Sequence, residues 1–203
     1  MDRVVHLALN SLKAIKVDQR INANNLANIQ VPGFKKDMPM ARSSTFLSAM
    51  DQYQSRVYVS SNDKMRFSDV EGYVERTEGK LDFAIRGEGY FFVEPALGLG
   101  PALSRRGDFN LRSNGDLVDG AGNFLLDNNS KRINLPSAKR VIIDETGKII
   151  IEPFGSPEGT RRDAGILGTI AGQDLDLVKD SDGQIRPALG AMPLPNQQAI
   201  VLQ

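Results

Sequence analysis

The sequence predicts a mainly β protein with a long N-terminal α-helix, and three observations lead to that fold class. The first thirty residues contain neither glycine nor proline, and their apolar residues recur at helical spacing. From residue 73 onward, short apolar segments alternate with glycine, proline and asparagine, a pattern typical of strands and turns. A chain of 203 residues with 40% hydrophobic residues can also bury a core. We therefore expect a small sandwich-like or barrel-like β-module, joined to the helix by an extended arm.

The composition excludes several classes of site. The chain has no cysteine, which excludes disulfides and thiolate metal sites, and its single histidine excludes any site that needs two imidazoles. Equal numbers of basic and acidic residues, 25 of each, disfavour a general nucleic-acid binder. No apolar run approaches the roughly 20 residues of a membrane-spanning helix. His6 and Asn10 interrupt the first apolar segment, so we expect no cleaved signal peptide.

The predicted helix covers about residues 3 to 29 and carries a narrow apolar stripe. Its positions alternate three and four residues apart, the spacing of a helix that packs lengthwise against another helix. The apolar stripe consists of Val5, Ala8, Leu12, Ile15, Leu26 and Ile29, with the amides Gln19 and Asn22 between them. Such a helix needs a partner helix in this chain or in another. The alternative is an ordinary helix that packs on the β-structure of its own domain.

The end of this helix is rich in asparagine, which is a mediocre helix former because its amide competes for backbone hydrogen bonds. The residues concerned are Asn22, Asn24, Asn25 and Asn28. Amides placed between packed helices are satisfied in only one register, so these residues are candidates for fixing the alignment of subunits. The alternative is a fraying helix end before a turn at Pro32, Gly33 and Phe34.

Three parts follow from these patterns: residues 1–34 as the assembly helix and turn, 35–72 as the arm, and 73–203 as the β-module. Alternation at Leu81, Phe83 and Ile85 and the apolar run at residues 90–93 predict strands. Further short strands are expected at residues 109–111, 117–118, 124–126, 141–143 and 148–151. The Asn114-Gly115 pair predicts a hairpin with a type I′ turn.

The catalytic and metal-binding patterns in the chain are weak. Residues 61–64 match a Ser-x-x-Lys pattern whose companion motifs are missing. Residues 87–89 and 98–100 lack the third glycine of a dinucleotide loop, and residues 180–183 depart from the spacing of a calcium loop. We therefore expect no catalytic, cofactor or metal site. A ligand-binding β-module, for example for a glycan, is the alternative function, and the lack of tryptophan disfavours it.

Three segments resemble the rod and hook proteins of the bacterial flagellum. They are residues 23–28 (Ala-Asn-Asn-Leu-Ala-Asn) followed by Gly33-Phe34-Lys35, residues 81–93, and residues 106–118. The length and the single β-module are similar to those of the rod members of the family. Residues 165–168 leading to 174–178, with Gly183 before residues 185–187, resemble the proximal rod members more than the distal rod members, which remain the alternative. Two departures stand out: Val31 occupies a position that is usually Thr, and the C-terminal partner helix typical of the family is missing from this chain.

The resemblance implies a structural subunit, without enzymatic activity or cofactor, that assembles with identical and sibling rod subunits into a hollow shaft transmitting torque from motor to hook. It implies a location in the flagellar basal body and periplasmic space, and export through the flagellum's own channel. The assembly crosses the membrane without inserting this chain into it. On this interpretation the packing residues are Val5, Leu12, Ile15, Asn22, Asn24, Asn25, Leu26, Asn28 and Ile29.

Overall fold

The N-terminal segment forms one long helix, α1 (Asp2–Ala27), as predicted. The computed structural model describes residues 2–39, 65–74, 77, 79–96, 100–157, 159–180, 183–196 and 199–202. Most of the predicted arm and the Ser-x-x-Lys pattern at 61–64 lie outside the described residues. After Ala27 the chain continues in a turn, in which the N–H of Val31 donates to the carbonyl of Asn28 at 3.0 Å. Gly33 follows with a φ of +72°, a left-handed conformation that glycine adopts readily.

The rest of the described chain is β-structure. In chain order the strands are β1 (Asp37–Met38), β2 (Arg66–Phe67), β3 (Ala84–Arg86), β4 (Gly89–Glu94), β5 (Ala102–Ser104), β6 (Phe109–Leu111), β7 (Leu117–Asp119), β8 (Phe124–Leu125), β9 (Ala138–Ile143), β10 (Lys148–Pro153), β11 (Arg162–Ile166), β12 (Thr169–Ala171), β13 (Leu177–Lys179), β14 (Ile185–Pro187) and β15 (Ile200–Leu202). The structure confirms the strands predicted at 109–111, 117–118, 124–126, 141–143 and 148–151, with bounds that differ by at most three residues. Leu81 and Phe83, expected in a strand with Ile85, precede β3.

The strands form open sheets, and the described residues contain no closed barrel. The largest sheet has the order β13-β14-β5-β4-β8-β7-β6, with β12 also paired to β4. Separate sheets contain β11-β10-β9, β1-β2 and β15-β3. The prediction of a barrel-like module was wrong. The strands are two to six residues long, and within the described residues the end strands β6 and β13 do not pair to close the sheet.

Strand β4 organises the core, because its two faces supply two different apolar clusters. Phe91 and Val93 point into one cluster, which also holds isoleucines of β9 and β10. Tyr90 and Phe92 point into the other. This alternation is the two-residue period of a strand that is covered on both faces. The predicted buried strand at 90–93 is confirmed, and Phe91 also meets Phe109 edge-on with ring centres 5.1 Å apart.

Two hairpins have the same type of turn, and this type differs from the predicted one. The hairpin between β6 and β7 exists, but only Gly115 has a positive φ, and Asn114 does not. The N–H of Gly115 donates to the carbonyl of Arg112, and the N–H of Arg112 donates to that of Asp116, both at 2.9 Å. Three loop residues with glycine last form a type I turn plus a bulge, in place of the two-residue type I′ turn. The same bonding closes the turn at residues 144–148.

Candidate functional site

Helix α1 contacts the β-structure near its C-terminal end. Ile21 is its buried apolar side chain, with 5% of its surface exposed. It lines a cleft of about 280 Å³ between the helix and the end of β13, together with Arg20, Asn24, Asp37, Met65, Lys179, Asp180 and Gly183. The contact between helix and β-module is therefore small, and a few polar residues must define its geometry.

Asn25 pairs with the backbone of Asp37 in both directions. Its side-chain N–H donates to the carbonyl of Asp37 at 3.0 Å, and the N–H of Asp37 donates to its side-chain oxygen at 2.8 Å. A primary amide reproduces the donor and acceptor of a neighbouring strand in this way. Asn24 donates to the carboxylate of Asp37 at 2.5 Å, and Asn28 donates to the side-chain oxygen of Asn24 at 2.9 Å. The amides that destabilise the helix end therefore attach it to β1.

Lys179 completes this contact from the opposite end of the sequence. Its ammonium group forms an ion pair with the Asp37 carboxylate and donates to the carbonyl of Lys35 at 3.2 Å. It also lies 4.6 Å from the ring centre of Phe34. Asp37 is 2% and Lys179 7% exposed, so both charges are buried and each depends on the other. We name Asn24, Asn25, Asp37 and Lys179 the helix joint.

Gly33 and Lys35 pack the turn between Asn25 and Asp37 against the β-module. A Cβ atom on Gly33 would lie 1.9 Å from the carbonyl oxygen of Arg105, so only glycine fits between them. Lys35 is buried and donates to the carbonyl of Asp69 at 3.1 Å. Burial, and next the nearby Arg105 charge, lower the pKa of the Lys35 ammonium. The turn residues Pro32, Gly33 and Phe34 therefore join the helix to the module.

The apolar stripe lies on the other side of the helix. Leu12, Ile15 and Leu26 are 58%, 52% and 72% exposed, and Ile29, just beyond the helix, is 73% exposed. Leu26 and the buried Ile21 are five residues apart, which places them about 140° apart around the axis. Exposed apolar side chains that line up along one face of a helix mark an interaction surface.

The structure divides the predicted packing residues into two groups. Leu12, Ile15, Asn22, Leu26 and Ile29 are exposed, and Val5 belongs to α1 by its backbone. Asn24, Asn25 and Asn28 bond within the chain, and a contact of theirs with other subunits stays a prediction. Asp37 and Lys179 were not predicted as site residues. For Asp37 the signal was a charged residue beside an extended segment, whereas nothing in the sequence indicated that Lys179 would meet it.

The weak motifs of the sequence fall in turns where the structure describes them. The N–H of Gly183 donates to the carbonyl of Asp180 at 2.9 Å, the same closure as in the other hairpins. Within the described residues no cluster of histidine and carboxylate side chains is suited to hold a metal ion. In the same part of the chain, no helix is long and apolar enough to span a membrane.

The comparisons with known proteins lead to one family. Residues 84–151 match the family described as the flagellar hook protein FlgE/F/G D1 domain. The chain is 28% identical over 207 residues to the flagellar basal-body rod protein FlgF of Caulobacter vibrioides, with 100% of this chain and 80% of that protein covered. It is 26% identical over 188 residues to the rod protein FlgG of Bacillus subtilis, with 87% and 69% covered. A FlgF of Rhizobium meliloti is 33% identical over 137 residues, which are 66% of this chain and 54% of that protein. These matches are all to flagellar rod and hook proteins, whose members are structural proteins and not enzymes, and the chain is similar to them over most of its length.

Proposed function

We propose that this chain is a subunit of the proximal rod of the flagellar basal body and that α1 assembles with neighbouring rod subunits through its apolar stripe. The observation that carries the proposal is the exposure of Leu12, Ile15 and Leu26 on the side of α1 opposite the helix joint. Burial of three such side chains contributes on the order of several kcal/mol per contact, at about 25 cal/mol per Å² of apolar surface. A head-to-tail arrangement of these contacts generates a helical array.

The helix joint supports a mechanical role for the same subunit. A shaft transmits torque only if the outer module cannot swivel on the helix that is packed in the shaft wall. The joint opposes such rotation with the Asn25–Asp37 amide pair and the buried Lys179–Asp37 ion pair, which have fixed geometry. On this proposal residues 1–34 form the assembly part, residues 35–72 the arm and residues 73–203 the outer β-module.

The proximal position is favoured over the distal one by the extent of similarity. The Caulobacter FlgF match spans the whole of this chain, whereas the Bacillus FlgG match spans 87% of it at 26% identity. The distal rod therefore remains the second candidate. Periplasmic location, export without a cleaved signal peptide and passage across the membrane without insertion belong to the same proposal. A ligand-binding β-module is not favoured, because the family consists of structural proteins.

The proposal is tested by replacing the gene in the source bacterium and isolating basal bodies. We expect the deletion to abolish swimming, and the wild-type chain to restore it and to co-purify with the proximal rod. The double variant Leu12→Asp, Ile15→Asp should fold but fail to join the rod. The matched control Lys131→Asp changes an exposed residue of the β-module and should assemble normally. Basal bodies of normal rod length without this protein would contradict the proposed function.

A further inference from the structure

Arg105, which directly follows β5, contacts two different parts of the fold. Its carbonyl oxygen faces the turn after α1, where a Cβ atom on Gly33 would lie 1.9 Å from it. Its guanidinium donates to the carbonyl of Ile85 in β3 at 2.7 Å and to the carbonyl of Gly87, which follows β3. One residue at the end of a strand of the large sheet therefore connects the helix turn with β3.

The guanidinium acts as a neighbouring strand would at one edge of β3. The other edge pairs with β15, where Ile85 lies opposite Val201. The N–H of Val201 donates away from β3, to the carbonyl of Glu145 at 3.1 Å, so Ile85 and Val201 form a non-hydrogen-bonded pair. In such a pair the backbone groups of both residues point away from each other. The carbonyl of Ile85 therefore points to the edge at which Arg105 donates.

The backbone that follows Arg105 is attached to the residue before β3. The N–H of Phe83 donates to the carbonyl of Gly107 at 2.9 Å, and a Cβ atom on Gly107 would lie 1.5 Å from the carbonyl oxygen of Phe83. Only glycine fits at this distance. The backbone of residue 107 and the side chain of residue 105 therefore hold residues 83–87 at both ends.

These contacts restrain the connection between β3 and the large sheet. β3 and β15 form a separate two-stranded sheet, and the chain passes from β3 to β4 through Gly87. Gly87 has a φ of +72° and no side chain that could fix its conformation. Its carbonyl accepts from Arg105, and its N–H donates to the carboxylate of Glu71 at 2.8 Å. Both backbone groups of a conformationally permissive residue are thereby restrained.

A role as a simple cation explains the position of Arg105 less well. Its guanidinium carbon lies 5.8 Å from the ring centre of Tyr90, near the limit of about 6 Å for a cation–π interaction. The two groups that accept its hydrogen bonds are neutral carbonyls, so the geometry of the donors matters more than the charge. A planar guanidinium presents its N–H groups in a fixed fork, whereas a lysine ammonium is a point charge on a flexible stem.

We propose that Arg105 is a positioning residue that holds β3 and its partner strand β15 at a fixed orientation to the turn after α1. The helix and β15, the first and the last elements of the described chain, then move together. A displacement at Gly33 reaches β15 through the backbone and the guanidinium of Arg105. Because these contacts lie within one chain, a negative result below would leave the proposed function standing.

The test measures hydrogen exchange of the β15 amides in the full chain. Arg105→Lys keeps the charge but loses the fork, so we expect β15 to exchange about tenfold faster, which is the order of magnitude for the loss of one hydrogen bond. Arg106→Lys is the matched control, because Arg106 is also half-buried but bonds to the carboxylate of Asp108 at 2.6 and 2.8 Å. In this control the β15 amides should exchange at the wild-type rate.

A second variant separates positioning from a general loss of stability. Gly33→Ala should also accelerate exchange in β15, because the added Cβ displaces the carbonyl of Arg105. This acceleration should disappear when Arg105→Lys is already present, since the connection to β3 is then broken. Two independent losses of stability would instead add.

The wild-type protein provides a test that needs no variant. Native-state exchange at increasing denaturant should show the amides of Asp37 and Val201 opening as one cooperative unit with one denaturant slope. Four results would each overturn the inference: unchanged β15 exchange in Arg105→Lys, the same acceleration in Arg106→Lys, additive effects of Gly33→Ala and Arg105→Lys, or separate opening of the two wild-type amides.

Discussion

The side chain of Asn25 and the backbone of Asp37 are hydrogen-bonded in both directions, so the last turns of α1 are held against β1 as a neighbouring strand would be. The carboxylate of the same aspartate receives Asn24 and the buried ammonium of Lys179. Four residues from three parts of the sequence thereby fix the direction in which the helix leaves the β-module. The stripe that we propose for assembly is presented on the side away from this contact.

We expect Asn25→Asp to release the helix from the module. A carboxylate cannot donate to the carbonyl of Asp37, and it brings a like charge close to the Asp37 side chain. The contact between helix and module should therefore be weakened by about 1–3 kcal/mol. Spin labels attached to cysteines introduced at Lys16 and Lys131 should report a broadened distance distribution. The control Asn22→Asp makes the same change at an exposed position of the helix and should leave the distribution narrow. An unchanged distribution in both variants would contradict the joint.

Removing Lys179 should cost more than removing the whole ion pair. Lys179→Met leaves the Asp37 carboxylate buried without its cation, and breaking such a pair costs about 3–5 kcal/mol. Lys179→Met combined with Asp37→Leu removes both charges, so denaturant unfolding should show part of the stability recovered. Additive losses in the double variant would mean that the two groups do not depend on each other.

Gly33→Ala should destabilise the protein far more than Gly155→Ala. Both glycines have a positive φ, +72° and +76°, so both substitutions incur the left-handed backbone penalty of about 1–2 kcal/mol. A Cβ at Gly155 meets no atom within 4 Å, whereas one at Gly33 lies 1.9 Å from the carbonyl oxygen of Arg105. Thermal unfolding of the two variants measures the difference directly. Equal losses would show that the turn is not seated against Arg105.

Alkaline pH should destabilise the core through Tyr90. Burial is the main cause that raises the pKa of its hydroxyl from 10.0 to about 12. The folded state therefore keeps this group neutral where the unfolded chain ionises it. Its contribution to stability is complete below pH 10 and is lost as the pH rises toward about 12. Denaturant unfolding across that window should show a smaller loss for Tyr90→Phe than for the wild type, and the same loss in both would contradict this assignment.

Local patterns predicted much of this fold. The helix, the buried strand at 90–93 and the hairpins follow from periodicity and turn residues, which act over a few positions. The open arrangement of the sheets was not predicted, because pairing between β4 and β12 or between β3 and β15 joins segments about 80 to 115 residues apart. The turn type was wrong because Asn114-Gly115 suits two turn geometries, and the hydrogen bonds of Arg112 decide between them.

The sequence also predicted only part of the candidate site. The asparagines were singled out because they oppose helix formation, and the structure shows that three of them bond within the chain. Asp37, the partner of Asn24 and Asn25, lies only twelve residues beyond Asn25, but no local pattern identifies it. Lys179 lies 142 residues from Asp37, and only the folded chain brings the two together. The exposed stripe, by contrast, follows directly from helical spacing.

Thiol accessibility measures whether other subunits cover the apolar stripe in the assembled rod, as we propose. The chain has no cysteine of its own, so Leu26→Cys introduces a single thiol on a residue that is 72% exposed in the monomer. We expect rapid labelling of the purified monomer and strong protection in isolated basal bodies from a motile strain. Labelling at the same rate in the monomer and in the basal body would contradict it.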